Sequence, residues 1–285
     1  MEIASRCICC DHSVLLASPA VLMPFVAKRV FGWEPVEITS GWGMRDLKPG
    51  HAYSICNTLR CTKCGVLFLD MRFNEREMSA LYRNYRGEEY TSTRERFEPG
   101  YGSRNDILVA GSTYIPEVEV FLSAFVTPPL RMLDWGGDTG LNTPFLGRLS
   151  LHHIYDISAK EAVPGGQIVD MSTIRAGDYD LIVCSNVLEH IPYPEGTIRS
   201  MIAAMSPATV LYIEIPHEDL IRFASSPDGL ETKKKHWHEH INFFTPASVE
   251  RLLHRCGLEV LGRTTLDVNA GGKDAQAFGI AAKLA

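Results

Sequence analysis

Three groups of residues have types and spacing that could do chemistry. The first is cysteine. Of the 8 cysteines, six fall within the first 64 residues, and Cys7-x-x-Cys10 and Cys61-x-x-Cys64 form two knuckles. Four thiolates at roughly 2.3 Å from a metal make a closed tetrahedral zinc site, which stabilises a fold and leaves no open position for catalysis. Two such pairs are a strong signal, although they stand further apart than the roughly 12–20 residues of compact ribbons. Cys9 and Cys56 are alternative ligands, and free thiols in a small core are the competing explanation. Cys184 and Cys256 lie on apolar faces and read as core.

The second group is a glycine-rich turn, Leu133-Asp134-Trp135-Gly136-Gly137-Asp138-Thr139-Gly140, which follows an apolar strand. Glycine lets the backbone turn sharply and lets a ligand approach closely. At the carboxyl edge of a parallel sheet, such a turn is where nucleotide-like ligands sit. Alone it could be a plain strand-to-helix turn. Its context argues otherwise, because Asp156 ends the next strand, where an acid can hold both ribose hydroxyls. Asp170 ends the third strand, where an acid can reach an adenine amino group. The nicotinamide fingerprint Gly-x-Gly-x-x-Gly is absent, which disfavours a dehydrogenase.

The third group is Lys233-Lys234-Lys235-His236-Trp237-His238-Glu239-His240-Ile241-Asn242-Phe243-Phe244, with His190 after the fourth strand. A histidine or carboxylate within hydrogen-bond reach of a hydroxyl can take its proton, worth roughly 10² to 10⁴ in rate. Other uses are open at this point. His236, His238 and His240 alternate as a second metal site could. An exposed loop would carry them with no function, and the lysines read as a solvated face or as contacts to a phosphate.

These motifs resemble the class I S-adenosylmethionine-dependent methyltransferases over roughly residues 110–285. Asp134-x-Gly136-x-x-x-Gly140 matches their glycine motif. Tyr179-Asp180-Leu181-Ile182 and Asn186-Val187-Leu188-Glu189-His190 match their fourth strand and the segment after it. The resemblance implies that Gly136, Gly137 and Gly140 pack against the methionine part of the cofactor. Asp156 would hold the ribose and Asp170 with Met171 the adenine, and Asp134 and Asn186 complete the implied set. Asp138 stands where the family usually has glycine, so its side chain must point away from the cofactor or meet its amino group.

Arg60-Cys61-x-x-Cys64-Gly65-Val66-Leu67-Phe68-Leu69 is similar to a subfamily of bacterial methyltransferases with an N-terminal zinc-binding domain, some of which act on sugars. In their sugar C-methyltransferases a Tyr-x-Glu-His segment, a histidine after strand four and a tyrosine near the N-terminal domain line the substrate site. The matching positions are Trp237, Glu239, His240, His190 and Tyr90. Trp237 lacks the tyrosine's hydroxyl, and the chain has no room for the large C-terminal domain of those enzymes. The expectation is therefore O-methylation of a sugar or glycoconjugate hydroxyl with a His/Glu base. C-methylation of a nucleotide-linked keto-sugar is the alternative, and a non-catalytic zinc-stabilised binding module is the alternative of another class.

The elements that must position these groups alternate from Leu130 onward. Arg131–Asp134, His153–Asp156, Gln167–Val169, Leu181–Cys184 and Val210–Ile215 read as strands, with helical or loop segments between several of them, including 195–205. The implied fold class is α/β, a Rossmann-like methyltransferase sheet in a three-layer sandwich, preceded by a small zinc-ribbon-like domain. The domains expected are residues 1–72 (cysteine-rich), 73–109 (helical, Tyr-rich connector) and 110–285 (methyltransferase). Asn74 with Glu77 predicts a helix start, a second helix is expected over about 106–125, and Thr245-Pro246 predicts a third that Gly257 closes.

Bulk properties fit this reading. The 285 residues carry a formal net charge of -6, which argues against a general nucleic-acid binder. No stretch is long and apolar enough for a membrane span. The expected partner is a small-molecule or glycan acceptor, and the expected location is the cytoplasm.

Overall fold

The computed structural model describes residues 1–43, 47–103, 111–158, 160–270 and 273–285. In chain order the first part contains β1 (Glu2–Ile3), β2 (Leu15–Leu22), α1 (Pro24–Phe31), β3 (Val36–Ile38), β4 (Gly50–Ala52), β5 (Ile55–Cys61), β6 (Leu67–Leu69) and β7 (Met71–Arg72). Then come α2 (Glu75–Tyr82), α3 (Glu88–Phe97), α4 (Ile115–Leu122), β8 (Leu130–Trp135), β9 (Leu149–Tyr155), β10 (Gln167–Ile168), β11 (Leu181–Ser185) and α5 (Pro194–Ile202). The last part holds β12 (Val210–Pro216), α6 (Asp219–Arg222), α7 (Leu230–Lys233), β13 (His236–Trp237), β14 (Asn242–Phe243), α8 (Pro246–Arg255), β15 (Leu258–Ala270) and β16 (Lys273–Leu284).

Seven strands form the main sheet in the order β10-β9-β8-β11-β12-β16-β15. The first five run parallel, and the β15–β16 hairpin joins antiparallel through β16 on β12. The strand order reverses between β8 and β11, so the crevice for a ligand opens at the carboxyl end of β8, where the glycine turn lies. Leu133, Ile182 and Leu211 are buried, as expected of central parallel strands.

The helices are fewer than a three-layer sandwich implies. The connections over 136–148, 156–166 and 169–180 are turns and loops among the described residues, so no helix follows the glycine turn. The reason is local. Eight residues separate Gly140 from β9, and they include Pro144, Phe145 with φ 59° and Gly147 with φ 83°. That is too short for a helix and a return to a parallel strand.

The five-stranded second sheet runs β13-β2-β5-β6-β14. It draws strands from both sides of residue 72, because β13 pairs with β2 and β14 with β6. One continuous core joins Cys7, Cys64 and Phe68 of the N-terminal segment to Leu133 and Ile182 of the seven-stranded sheet and Val249 of α8. The boundary expected at residue 109 falls outside the described residues; of the helix expected over about 106–125, residues 111–114 are coil and turn, and α4 spans Ile115–Leu122.

Helix starts agree with the sequence signals. Asn74 accepts from the Glu77 amide while Glu77 accepts from the Asn74 amide, a complete capping box on α2. Thr245 and Ser248 do the same for α8, with Pro246 at its first position, and Gly257 takes φ 83° after its end. The connector expected over 73–109 contains α3 as well as α2, and the polar α3 hides two buried residues, Tyr90 and Arg94.

Candidate functional site

The glycine turn is held by its neighbours. Gly136 and Gly140 take φ 78° and 80°. A β-carbon at Gly136 would come within 3.0 Å of Val187, and one at Gly140 would lie 2.6 Å from Ile154 Cδ1. Gly137 has no such room either, because the Asp134 carboxylate fills its side. Asp134 is buried and accepts from the Thr143 hydroxyl; burial raises its pKa to about 6. The loop thus needs glycine at all three positions for its own packing, and the same packing keeps its backbone bare toward the crevice.

Asp156 faces the turn. Its Oδ2 accepts from the Asp138 amide at 2.9 Å and its Oδ1 from the Ser158 amide at 2.6 Å. Asp138 adopts φ 53°, the left-handed geometry that explains glycine's usual presence there. Its carboxylate accepts from Ser158 Oγ at 3.2 Å and pairs with Lys160 Nζ at 2.9 Å, so it reaches across to the loop after β9. Asp170 accepts three hydrogen bonds on Oδ1 from Ser172 and Thr173, which lower its pKa. Met171 beside it is exposed. Asn186 takes φ 54° and donates Nδ2 to the buried Glu214 at 3.1 Å. A bare backbone turn, an acid beside it and an exposed methionine over the next strand end are a donor set that fits an adenosyl cofactor.

The Val187 contact with Gly136 places the Asn186–His190 segment directly beside the turn. Beyond it lies a cluster of titratable groups. The His190 and His240 rings meet edge-on, centroids 4.7 Å apart. His190 Nδ1 lies 3.0 Å from the Glu239 carbonyl and 2.8 Å from Tyr82 Oη. A carbonyl only accepts, so the Glu239 contact favours the tautomer with the proton on Nδ1 and Nε2 bare. Burial lowers the His190 pKa to about 3, with the neighbouring His240 adding to the effect. His240 Nδ1 lies 3.0 Å from Glu218 Oε1. Burial works against a charge on His240, but the Glu218 hydrogen bond and the nearby acids outweigh it and raise its pKa.

Glu239 is engaged differently. Tyr90 donates to its Oε2 at 2.7 Å and Arg94 Nη1 to its Oε1 at 2.6 Å. Burial would raise its pKa, but the Arg94 charge prevails and brings it to about 2. Arg94 also binds Glu98, which in turn meets His238 Nδ1 at 3.2 Å.

The structure therefore brings His190, His240 and Glu239 together and places Tyr90 behind Glu239. Tyr82 is the tyrosine on His190. Trp237 lies elsewhere, fully buried with its Nε1 donating to Thr58 Oγ1. Lys234 is buried against Trp237 and Phe243, which corrects the expected solvated face for this lysine. Sequence reasoning missed Tyr82, Arg94, Glu189 and Glu218. Glu218 had a legible signal, since it comes after a strand at the ligand edge, whereas Arg94 sat in a stretch with no pattern.

The four expected cysteines also converge. Cys7, Cys10, Cys61 and Cys64 have sulfurs within 4.8 Å of one another, with Cys7–Cys64 at 3.5 Å and Cys10–Cys61 at 3.6 Å. Tetrahedral ligands at about 2.3 Å from zinc stand roughly 3.8 Å apart. Amides of Cys9, Cys10 and Lys63 point at the Cys7 and Cys61 sulfurs, as suits thiolates. Cys56 lies in a different core, beside Leu22 and Trp237.

The fold and this site define a class I methyltransferase domain, and comparison with known proteins agrees. The profile of the family described as "Methyltransferase domain" matches residues 82–262. The chain belongs to this family of S-adenosylmethionine-dependent methyltransferases. Curated relatives include the ubiquinone biosynthesis O-methyltransferase of Vibrio parahaemolyticus serotype O3:K6, 26% identical over 121 residues, which are 41% of this chain and 52% of that protein. Another is the enzyme of the same name from Xanthomonas axonopodis pv. citri, 27% identical over 161 residues, covering 49% and 67%. The chain spans about half the length of the first of these relatives. Among solved structures it is similar to the Burkholderia thailandensis 1,6-didemethyltoxoflavin-N1-methyltransferase, with TM-score 0.47 and 15% identity over 69% of this chain and 89% of that one.

Proposed function

We propose that this chain methylates a hydroxyl of a small polyhydroxylated acceptor, a sugar or glycoconjugate. The observation that carries this reading is the His240–Glu218 pair standing against His190, on the sheet edge where the Asn186–His190 segment touches the glycine turn. The names of the curated relatives, O-methyltransferases, support oxygen as the acceptor atom.

Bound S-adenosylmethionine would supply an already activated methyl group, so the protein's task is to align the acceptor and remove its proton. Asp156 would hold the ribose, Asp170 and Met171 the adenine, and the backbone of Gly136–Gly140 the methionine end, with Asp134 and Asn186 fixing the two strand ends. His240 faces the acceptor as the proton-accepting group, and Glu218 orients it and supports the charge it gains. Glu239, locked by Arg94 and Tyr90, positions the segment and binds rather than accepts a proton. Cys7, Cys10, Cys61 and Cys64 hold a structural zinc, whose closed coordination gives it no part in transfer.

The test pairs two measurements. Calorimetry with S-adenosylmethionine should show one site per chain. Labelled methyl groups should then enter carbohydrate fractions when the protein is given sugar-nucleotide and polysaccharide extracts. Cofactor binding with uptake confined to non-carbohydrate fractions would overturn the acceptor class.

A further inference from the structure

Glu189 is a carboxylate that the described structure leaves without a hydrogen-bond partner. It is 1% exposed, and neither oxygen has a partner. An unpaired buried carboxylate is expensive, and burial accordingly raises the Glu189 pKa to about 7; a cation beside it would relieve the same cost. What faces it is nitrogen. His190 Nε2 lies 3.8 Å from Glu189 Oε1. That nitrogen is bare in the tautomer that the Glu239 carbonyl beside Nδ1 favours. His240 has the same character, its Nδ1 tied to Glu218 Oε1 and its other nitrogen left without a proton in the neutral ring.

A lone pair facing a carboxylate is repulsive unless a cation lies between them. A shared proton does not serve, since hydrogen bonds need about 2.7–3.2 Å. We propose that Glu189, His190 and His240 are the protein ligands of a divalent cation, of the zinc or manganese kind, within the acceptor site. One ligand atom from each of the three lies within 4.8 Å of the others. Ligands about 2.0–2.2 Å from a metal stand roughly 3.0–3.5 Å apart, so a small contraction would close the set.

Two imidazoles and one carboxylate form the ligand set that holds a divalent ion and leaves other positions open. Both histidines have the outer support that metal-bound imidazoles show, each Nδ1 held by an oxygen of Glu239 or Glu218. The open positions would receive the acceptor's oxygen, or two neighbouring oxygens of a polyhydroxylated acceptor. The proposal rests on the acceptor site of the proposed function and alters one role within it. With the cation present, His240 is a ligand, and its effect on transfer depends on the ion.

Titration of the zinc-containing protein with Mn²⁺, monitored by electron paramagnetic resonance, reads the site directly. Thiolates favour zinc, and the nitrogen-oxygen set suits manganese, so the cysteine cluster does not interfere. One Mn²⁺ per chain is expected, weakened at least tenfold in Glu189→Gln. That variant should fold, since it replaces an unpaired charge with a neutral group of the same shape. His240→Ala, with melting and cofactor binding checked, gives a second variant that should also lose Mn²⁺. Absence of Mn²⁺ binding, or binding equal in all three proteins, overturns the proposal. Methyl transfer measured in parallel separates the two readings: transfer without Mn²⁺ binding leaves the acceptor class standing, and Mn²⁺ binding without transfer to any carbohydrate leaves only the cation site.

Discussion

The Glu239 carboxylate meets the Arg94 guanidinium at 2.6 Å with both side chains about nine-tenths buried. This pair joins the acceptor segment to α3, an element far away in sequence. Removing one partner of a buried pair strands the other charge and costs about 3–5 kcal/mol. Glu239→Ala and Arg94→Ala should each fall in that range by urea unfolding. The double variant should lose less than the sum of the two, by at least about 1 kcal/mol. Additive losses within about 0.5 kcal/mol would show that the two residues act independently.

The glycine turn gives a sharper contrast. Gly136 and Gly147 both have left-handed φ, 78° and 83°. A β-carbon at Gly147 meets nothing within 4 Å, whereas one at Gly136 collides with Val187. Gly147→Ala should carry the backbone cost alone, roughly 1 kcal/mol. Gly136→Ala should carry a further 1–3 kcal/mol of overpacking and should push Val187 away from the turn. Melting temperatures of the two variants check the difference, and equal melting would contradict the packing argument.

Legibility in the sequence tracks the range of the interactions. Asn74, Glu77, Thr245 and Pro246 act within one helical turn, and their spacing marks both helix starts correctly. The central strands β8, β11 and β12 show as apolar runs because they are buried on both faces. The four cysteines are legible because metal knuckles have fixed local spacing. The α3 helix is not, because Tyr90 and Arg94 are buried against Phe25 and bound to Glu239, about 145 residues from Arg94, and no local pattern records that. Glu218 is half legible: its place after a strand at the ligand edge can be read, but its pairing with His240 on another element cannot. Asp138 shows the opposite case: a single odd residue was visible, but only the fold supplies Lys160 and Ser158 as its partners.

The cysteine cluster should matter beyond its own loop. Thr245 Oγ1, the cap of α8, donates to the Cys64 carbonyl at 3.1 Å, and Arg255 at the far end of α8 donates to the Cys9 carbonyl at 3.1 Å. Both ends of the helix are therefore tied to the knuckles. Removing the proposed zinc with a chelator, or replacing Cys61 with Ser, should speed amide exchange in α8 as well as in the cysteine loops. Zinc content should fall from one per chain in the same samples. Unchanged exchange in α8 would mean the helix is anchored by its apolar face alone.

His240 and Glu218 should separate in kinetics. His240→Ala removes the proposed proton acceptor and should lower turnover by roughly 10² to 10⁴. Glu218→Gln keeps a hydrogen-bond partner for Nδ1 but loses the charge, so its loss should be smaller. Cofactor affinity should stay within about twofold in both, since neither touches the glycine turn. Equal losses of turnover and cofactor affinity would show a disturbed fold instead of a lost chemical role.

Asp134 sets a pH dependence whose sign can be worked out. Burial raises its pKa from 3.8 in the unfolded chain to about 6 in the fold. Below pH 3.8 it is protonated in both states and has no effect. As pH rises toward 6 the unfolded chain releases the proton first, so folding loses stability, and above 6 the loss is complete. Two pKa units correspond to about 3 kcal/mol. Asp134→Asn stays neutral throughout and keeps an oxygen for the Thr143 hydroxyl. The stability of this variant relative to the parent, measured by urea unfolding without cofactor, should therefore rise by about 2–2.5 kcal/mol between pH 4 and pH 7. A constant difference across that range would mean that Asp134 is ionised in the fold, and the turn's packing would then have to accommodate a charge beside Gly137.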